Sequence, residues 1–140
     1  MIVLDASVAL AWSFRDEHSA EANAVADYLV AARAVVPSIW PLEVANALLS
    51  AERRGRLDAE ERSQIIDLLT ALPIDVEHAS LAQSLGTISD VAQAHDLSAY
   101  DASYVELAHR LAIPLATLDA RIAAAALALG VASFARQPRP

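Results

Sequence analysis

Short apolar runs alternate with longer helical patterns along almost the whole chain, and that alternation limits the fold more than any other feature. "MIVLD" (1–5) reads as a buried strand, followed by helical "SVALAWSF". Residues 19–32 read as a helix, "AVVPS" (34–38) as a second strand, and 39–56 as a helix with Pro41 in its first turn. Asp58 is placed to cap a helix over 59–72, and "PIDVE" (73–77) is a weak third strand. Residues 78–95 look helical with a break near Gly86-Thr87, and 98–112 form a further helix. "IPLATLD" (113–119) is a fourth strand, "ARIAAAALAL" a helix stopped by Gly130, and "VASFA" (131–135) a fifth strand. Apolar strands separated by helices imply a parallel sheet covered on both faces, with right-handed crossovers. We expect one domain over 1–135 and a frayed tail over 136–140.

In such a sheet the strand C-termini and the starts of the following helices share one edge, and ligands bind there. Four acids fall at such places: Asp5, Glu43, Asp101 and Asp119. Each has an ordinary explanation as well. Asp5 and Asp119 could cap helices, and Ser98-x-x-Asp101 fits a capping box. Glu43 could be a solvated helix residue, although it shares a face with Asn46, Ala47 and Ser50. Capping does not explain why Asp101 heads an apolar stripe through Val105 and Ala108, with Ser103, Glu106 and Arg110 on the opposite face. If the four acids converge, they cannot all stay ionised unaided: two carboxylates ~4 Å apart repel by roughly 4 kcal/mol at an effective dielectric of 20. Either their pKa values rise or a cation sits among them, and an all-oxygen donor set suits Mg²⁺ or Mn²⁺.

Composition removes several other chemistries. The 140 residues contain no Cys, so disulfides, thiolate zinc sites and Cys nucleophiles are excluded. There is no Lys, hence no P-loop or Schiff-base lysine, and three glycines are too few for a G-x-G-x-x-G loop. His18, His78, His95 and His109 lie too far apart in sequence to suggest a zinc site. The first twelve residues have no basic region and are interrupted by Asp5, so we expect no signal peptide. No apolar run is long enough to span a bilayer, and a reducing cytoplasm is the expected compartment.

"MIVLDASVALAW", "PSIWPLEVANALL", "LSAYDASYVELA" and "IPLATLDARI" resemble, in order and spacing, the four acidic motifs of PIN-domain ribonucleases. The closest resemblance is to the toxin subunits of VapBC-type toxin–antitoxin pairs, and it covers nearly the whole chain. It implies a three-layer α/β/α fold with a five-stranded parallel sheet ordered 3-2-1-4-5. It also implies that Asp5, Glu43, Asp101 and Asp119 are catalytic, metal-binding acids. Ser7, Asn46 and Thr117 match the family's supporting polar residues. Where some relatives carry a further acid just beyond the fourth, this chain has Arg121 and Ile122.

The activity the resemblance implies is Mg²⁺- or Mn²⁺-dependent hydrolysis of RNA phosphodiester bonds, by a homodimer held in check by an antitoxin protein. Arg53, Arg54, Arg56 and Arg62, clustered in a net charge of −8, are candidates for contact with RNA or antitoxin, or else a solvated turn. Two rivals remain at this stage. One is a metal-dependent phosphatase of another α/β family, which would usually carry an acid where Ser7 stands. The other is a non-catalytic module that keeps the fold.

Overall fold

The computed structural model describes residues 1–134. Strands β1 (Ile2–Leu4), β2 (Ala34–Pro37), β3 (Ile74–Glu77) and β4 (Leu115–Ala116) form one parallel sheet in the order β3-β2-β1-β4. Successive strand side chains point to opposite faces, yet every residue of β1, β2 and β4 is buried. Both faces of the sheet centre are therefore covered. β3, at the edge, is half exposed.

The helices start where their caps allow. Ser19 accepts from the Ala22 amide and opens α2 (Ala20–Leu29), after the short α1 (Ala6–Ser13). Pro41 lies in the first turn of α3 (Trp40–Arg53), where its missing N–H costs nothing. Asp58 accepts from the Glu61 amide at 2.7 Å and opens α4 (Ala59–Thr70). The expected helix over 78–95 is interrupted as anticipated. Ser80 and Gln83 form a capping box around α5 (Leu81–Gln83), a π-helical stretch follows over Ser84–Ile88, and α6 (Ser89–His95) completes it. Gly86 lies in the π stretch. α7 (Ala99–Leu111) packs on β1, β2 and β4, and α8 (Ala120–Ala128) packs beside α7. Among the described residues no helix is long and apolar enough to cross a membrane.

Two expectations need correction. The fifth strand is reduced to a single parallel bridge, Leu115 with Ser133. Its two hydrogen bonds run from Leu115 N to Ala132 O (3.0 Å) and from Phe134 N to Leu115 O (2.9 Å). The cause lies in β4, which is only two residues long. Pro114 before it has no N–H to donate, and Thr117 after it is turned towards Asp5. The segment still occupies the place beside β4 that the order 3-2-1-4-5 assigns to it. Residues 135–140, the last of that strand and the tail, lie outside the described residues. Second, Glu106 does not face solvent: it is 6% exposed and accepts from Arg110 at 2.9 Å, while Arg110 also donates to Glu77 of β3 at 2.6 Å. α7 is central, so it lacks the free face that an amphipathic reading assigns to it.

Ala112 ends α7 in the left-handed conformation, φ 53°, and the Ile113 amide closes back on Ala108 O at 3.1 Å. An L side chain is strained there, whereas Gly130 takes the same role after α8 without strain. Ala112→Gly is expected to stabilise the protein by about 0.5–1 kcal/mol, the relief of strain exceeding the added chain entropy. Urea denaturation reads this directly, and a lower midpoint for the variant contradicts it.

Candidate active site

Asp5 leaves the end of β1 at the N-cap position of α1, but its side chain makes no capping bond. It is 4% exposed. Its Oδ2 instead accepts from Ser7 Oγ (2.6 Å) and Thr117 Oγ1 (2.7 Å). Both hydroxyls are used twice, since Ser7 Oγ accepts from the Leu118 amide and Thr117 Oγ1 from the Asp119 amide, each at 3.0 Å. The start of α1 is thus tied to the loop between β4 and α8. Burial pushes the Asp5 carboxyl above its ordinary pKa; Ser7, Thr117 and the Ala6 amide act against that, and Asp101 adds repulsion.

Glu43 enters from the first turn of α3. Its pKa is pushed up to about 7, first by burial and then by the charge of Asp5, with a smaller contribution from Asp101; the Tyr104 hydroxyl opposes the shift. Its Oε1 is buried and has no hydrogen-bond partner among the described residues. Asp101 is in the first turn of α7, where Ser98 Oγ accepts from its amide at 3.0 Å. The carboxylate of Asp101 does not complete the capping box and accepts no hydrogen bond among the described residues. Ser98 alone secures the helix start. Glu43, Asn46, Ser98 and Asp101 line one open hollow of about 330 Å³, with Leu42 and Tyr100 at its side.

The structure therefore brings Asp5, Glu43 and Asp101 into mutual electrostatic reach. Asp119 is joined to them through Thr117. One of its oxygens is spent on the start of α8, accepting from the Arg121 (2.8 Å) and Ile122 (3.1 Å) amides. The capping explanation holds for Asp119 Oδ1 and fails for Asp5 and Asp101. As they stand, no three acid or histidine side chains among the described residues are arranged to grip one ion. Of the arginines, Arg56 is paired with Asp16 (2.8 Å) and lies over the Phe14 ring, and Arg62 is paired with Glu52. Arg53 and Arg54 are exposed and make no ion pair among the described residues.

Tyr104 of α7 was not among the expected site residues. It is completely buried, and its hydroxyl has no hydrogen-bond partner among the described residues. Burial, then Glu43, then Asp5 raise its pKa further above the phenol range, and the Ala6 amide opposes them. Tyr104 and Glu43 are close enough to affect each other, yet no hydrogen bond of ordinary geometry joins them, so both atoms stay unsatisfied. The available signal was a phenol on the sheet-facing side of a helix, one turn after Asp101, since a buried phenol needs a partner.

An Asp at the end of β1, a Glu entering from α3 and an Asp from the start of α7 thus stand around the C-terminal edge of a parallel sheet. The model of the PIN domain family matches residues 2–127, and the chain belongs to that family. Among its relatives, Ribonuclease VapC3 of Pyrobaculum aerophilum is 30% identical over 122 residues, which cover 87% of this chain and 92% of that one. Ribonuclease VapC9 of Mycobacterium tuberculosis is 32% identical over 123 residues, 87% and 88% of the two chains. Two solved structures share the fold. FitAcB from Neisseria gonorrhoeae has a TM-score of 0.66 at 19% identity, covering 97% of this chain and 98% of the other. VapC20 of Mycobacterium tuberculosis, described as a sarcin-ricin loop cleaving toxin, has 0.64 at 15% identity, covering 89% and 95%.

Glu43 gives a pH dependence of known sign. The unfolded chain releases this proton near the ordinary 4.5 and the native protein near 7, so between those values the native state binds more protons. Glu43's contribution to stability is intact below about 4.5 and is lost as pH rises through about 7. After discounting for solvent screening the loss is on the order of 1 kcal/mol. Glu43→Gln in EDTA is expected to match the wild type at pH 4 and to exceed it by that amount at pH 8, in urea melts. Equal stability at both pH values contradicts the cluster.

Proposed function

We propose that this chain is a divalent-metal-dependent endoribonuclease that acts in the cytoplasm as the toxin of a type II toxin–antitoxin pair. Relatives named VapC ribonuclease support RNA as the substrate. The observation that carries metal dependence is the Asp5–Glu43–Asp101 cluster: three buried or half-buried acids that repel one another, one with an unpartnered buried oxygen. Its donors are all oxygen, which fits Mg²⁺ or Mn²⁺ and not a thiolate-seeking ion.

Asp5, Glu43, Asp101 and Asp119 would hold the ion, with Ser7 and Thr117 fixing Asp5 and Asn46 adding a polar contact on the Glu43 face. When bound, such an ion supplies an acidified water and offsets charge on the phosphate. The protein positions the scissile phosphate at the open hollow and accepts a proton. Asp101, whose carboxylate is free of hydrogen bonds among the described residues, is the group suited to accept it from the attacking water. Arg53 and Arg54 are the arginines free to meet RNA or antitoxin; Arg56 and Arg62 already hold Asp16 and Glu52. A single domain over 1–135 would carry the whole activity. The phosphatase reading loses ground because Ser7, at the place of the second acid, is bound to Asp5 instead.

Homodimerisation is part of the same proposal. Leu42 (67% exposed) and Tyr100 (64%) stand beside the acidic hollow, and Leu81 (75%) and Leu85 (74%) extend the exposed apolar side chains onto the neighbouring helical segment. A second copy over this face would cover them and set two sites along one groove. Sedimentation should give a dimer that Leu85→Glu weakens at least tenfold; a wild-type monomer at micromolar concentration contradicts it.

Asp5→Asn is expected to fold, since an amide oxygen can still accept from Ser7 and Thr117, and to lose RNA cleavage by at least a hundredfold. The assay runs with Mn²⁺ and with EDTA beside a phosphomonoester control. Asp101→Asn should also lose cleavage while melting no earlier than the wild type. Ser98→Ala should do the reverse, losing about 1 kcal/mol of stability and keeping cleavage. If Asp101→Asn melts early and still cleaves, Asp101 serves the helix and not the chemistry.

A further inference from the structure

Tyr104 carries a hydroxyl that the fold does not need. Its ring is 0% exposed among the core residues of α7, a place a phenylalanine would fill equally well. The hydroxyl is buried with no partner among the described residues, so it bears the desolvation of a polar group without a hydrogen bond to offset it. The groups around that oxygen are not ordinary core. They are Glu43, Asp5 and the Ala6 amide at the start of α1. Glu43 Oε1 is in the same state, buried and unpartnered. Two orphaned polar atoms, one a donor and one an acceptor, sit beside each other behind the acidic hollow.

The geometry points to Tyr104 as a positioning residue for Glu43. With the metal site filled, its hydroxyl would donate to Glu43 Oε1, a bond this structure does not contain, and so leave Oε2, the less buried oxygen, turned to the hollow that Glu43 lines with Asp101. Asp5 is already held this way, its Oδ2 accepting from the Ser7 and Thr117 hydroxyls. Tyr104 gives Glu43 the corresponding neutral donor, which orients a carboxylate without cancelling its charge. The donor also comes from a well-fixed place. Tyr104 follows Asp101 by three residues, so both lie on one side of α7, whose start is capped by Ser98. α7 thus sets Asp101 directly and Glu43 through Tyr104.

This inference rests on the proposed metal site, and the test separates the two. Mn²⁺ binding is measured without RNA, by the electron paramagnetic resonance signal of free Mn²⁺, together with the melting temperature in EDTA. Tyr104→Phe is expected to melt at or above the wild-type temperature and to bind Mn²⁺ at least tenfold more weakly, the range for loss of a group that orients a metal ligand. Cleavage by the variant should recover towards the wild-type rate as Mn²⁺ is raised to saturation. Glu43→Gln and the double variant Glu43→Gln/Tyr104→Phe should bind Mn²⁺ alike, because Tyr104 acts through Glu43. Wild-type Mn²⁺ affinity in Tyr104→Phe overturns the assignment, as does a clearly lower melting temperature or a full further loss in the double variant. Absence of Mn²⁺ binding by the wild type itself overturns the metal site, and this inference with it.

Discussion

A carboxylate buried at the end of the central strand is the constraint around which this fold is arranged. Asp5 is 4% exposed and has acidic neighbours, which is unfavourable unless donors surround it. Ser7 and the Ala6 amide are local, but Thr117 is 112 residues away in sequence and reaches Asp5 only because β4 lies against β1. The sheet order β3-β2-β1-β4 makes β1 the strand where the direction of growth reverses, so a crevice opens at its C-terminal end. Topology creates the crevice, and two hydroxyls that each donate to Asp5 and accept from a backbone amide fix its floor.

Much of this was legible in the sequence because it depends on periodicity and on position along the chain. Alternating apolar strands and helices imply a parallel sheet, and a parallel sheet brings strand ends and helix starts to one edge. Asp5, Glu43 and Asp101 are grouped by that geometry alone. What stayed hidden depends on neighbours distant in sequence. Glu106 has the spacing of a solvent-facing residue, but its burial follows from the position of α7 against the sheet and from Glu77, which shares Arg110 with it. The partner of Arg56 was equally invisible, since Asp16 is 40 residues away from it. The fifth strand failed for a different reason: "VASFA" has strand composition, but the two residues of β4 give it one rung to bind.

The helix caps explain why acids at similar positions carry different loads. A helix start exposes several amides, and one oxygen must meet them. In α7 that oxygen belongs to Ser98, which leaves both oxygens of Asp101 without a hydrogen bond among the described residues. In α1 the cap position belongs to Asp5, but its side chain is taken by hydroxyls, and the Val8 amide donates to the Asp5 carbonyl instead. In α8 there is no serine before the acid, so Asp119 does the capping itself.

The distinction separates stability from chemistry residue by residue. A charge held among like charges raises the free energy of the folded chain, so the rest of the fold must tolerate it. Here the tolerance comes from a core in which β1 residues are at most 1% exposed and from a helix, α7, buried on nearly all sides. Asp101 can stand beside Asp5 and Glu43 because the start of its helix does not depend on it. Asp119 cannot be separated in this way. Its Oδ1 holds α8 in place, and α8 packs on α7, which carries Asp101 and Tyr104. A change at Asp119 therefore reaches the cluster by two routes, through the carboxylate itself and through the helix it starts. A change at Asp101 reaches it by one.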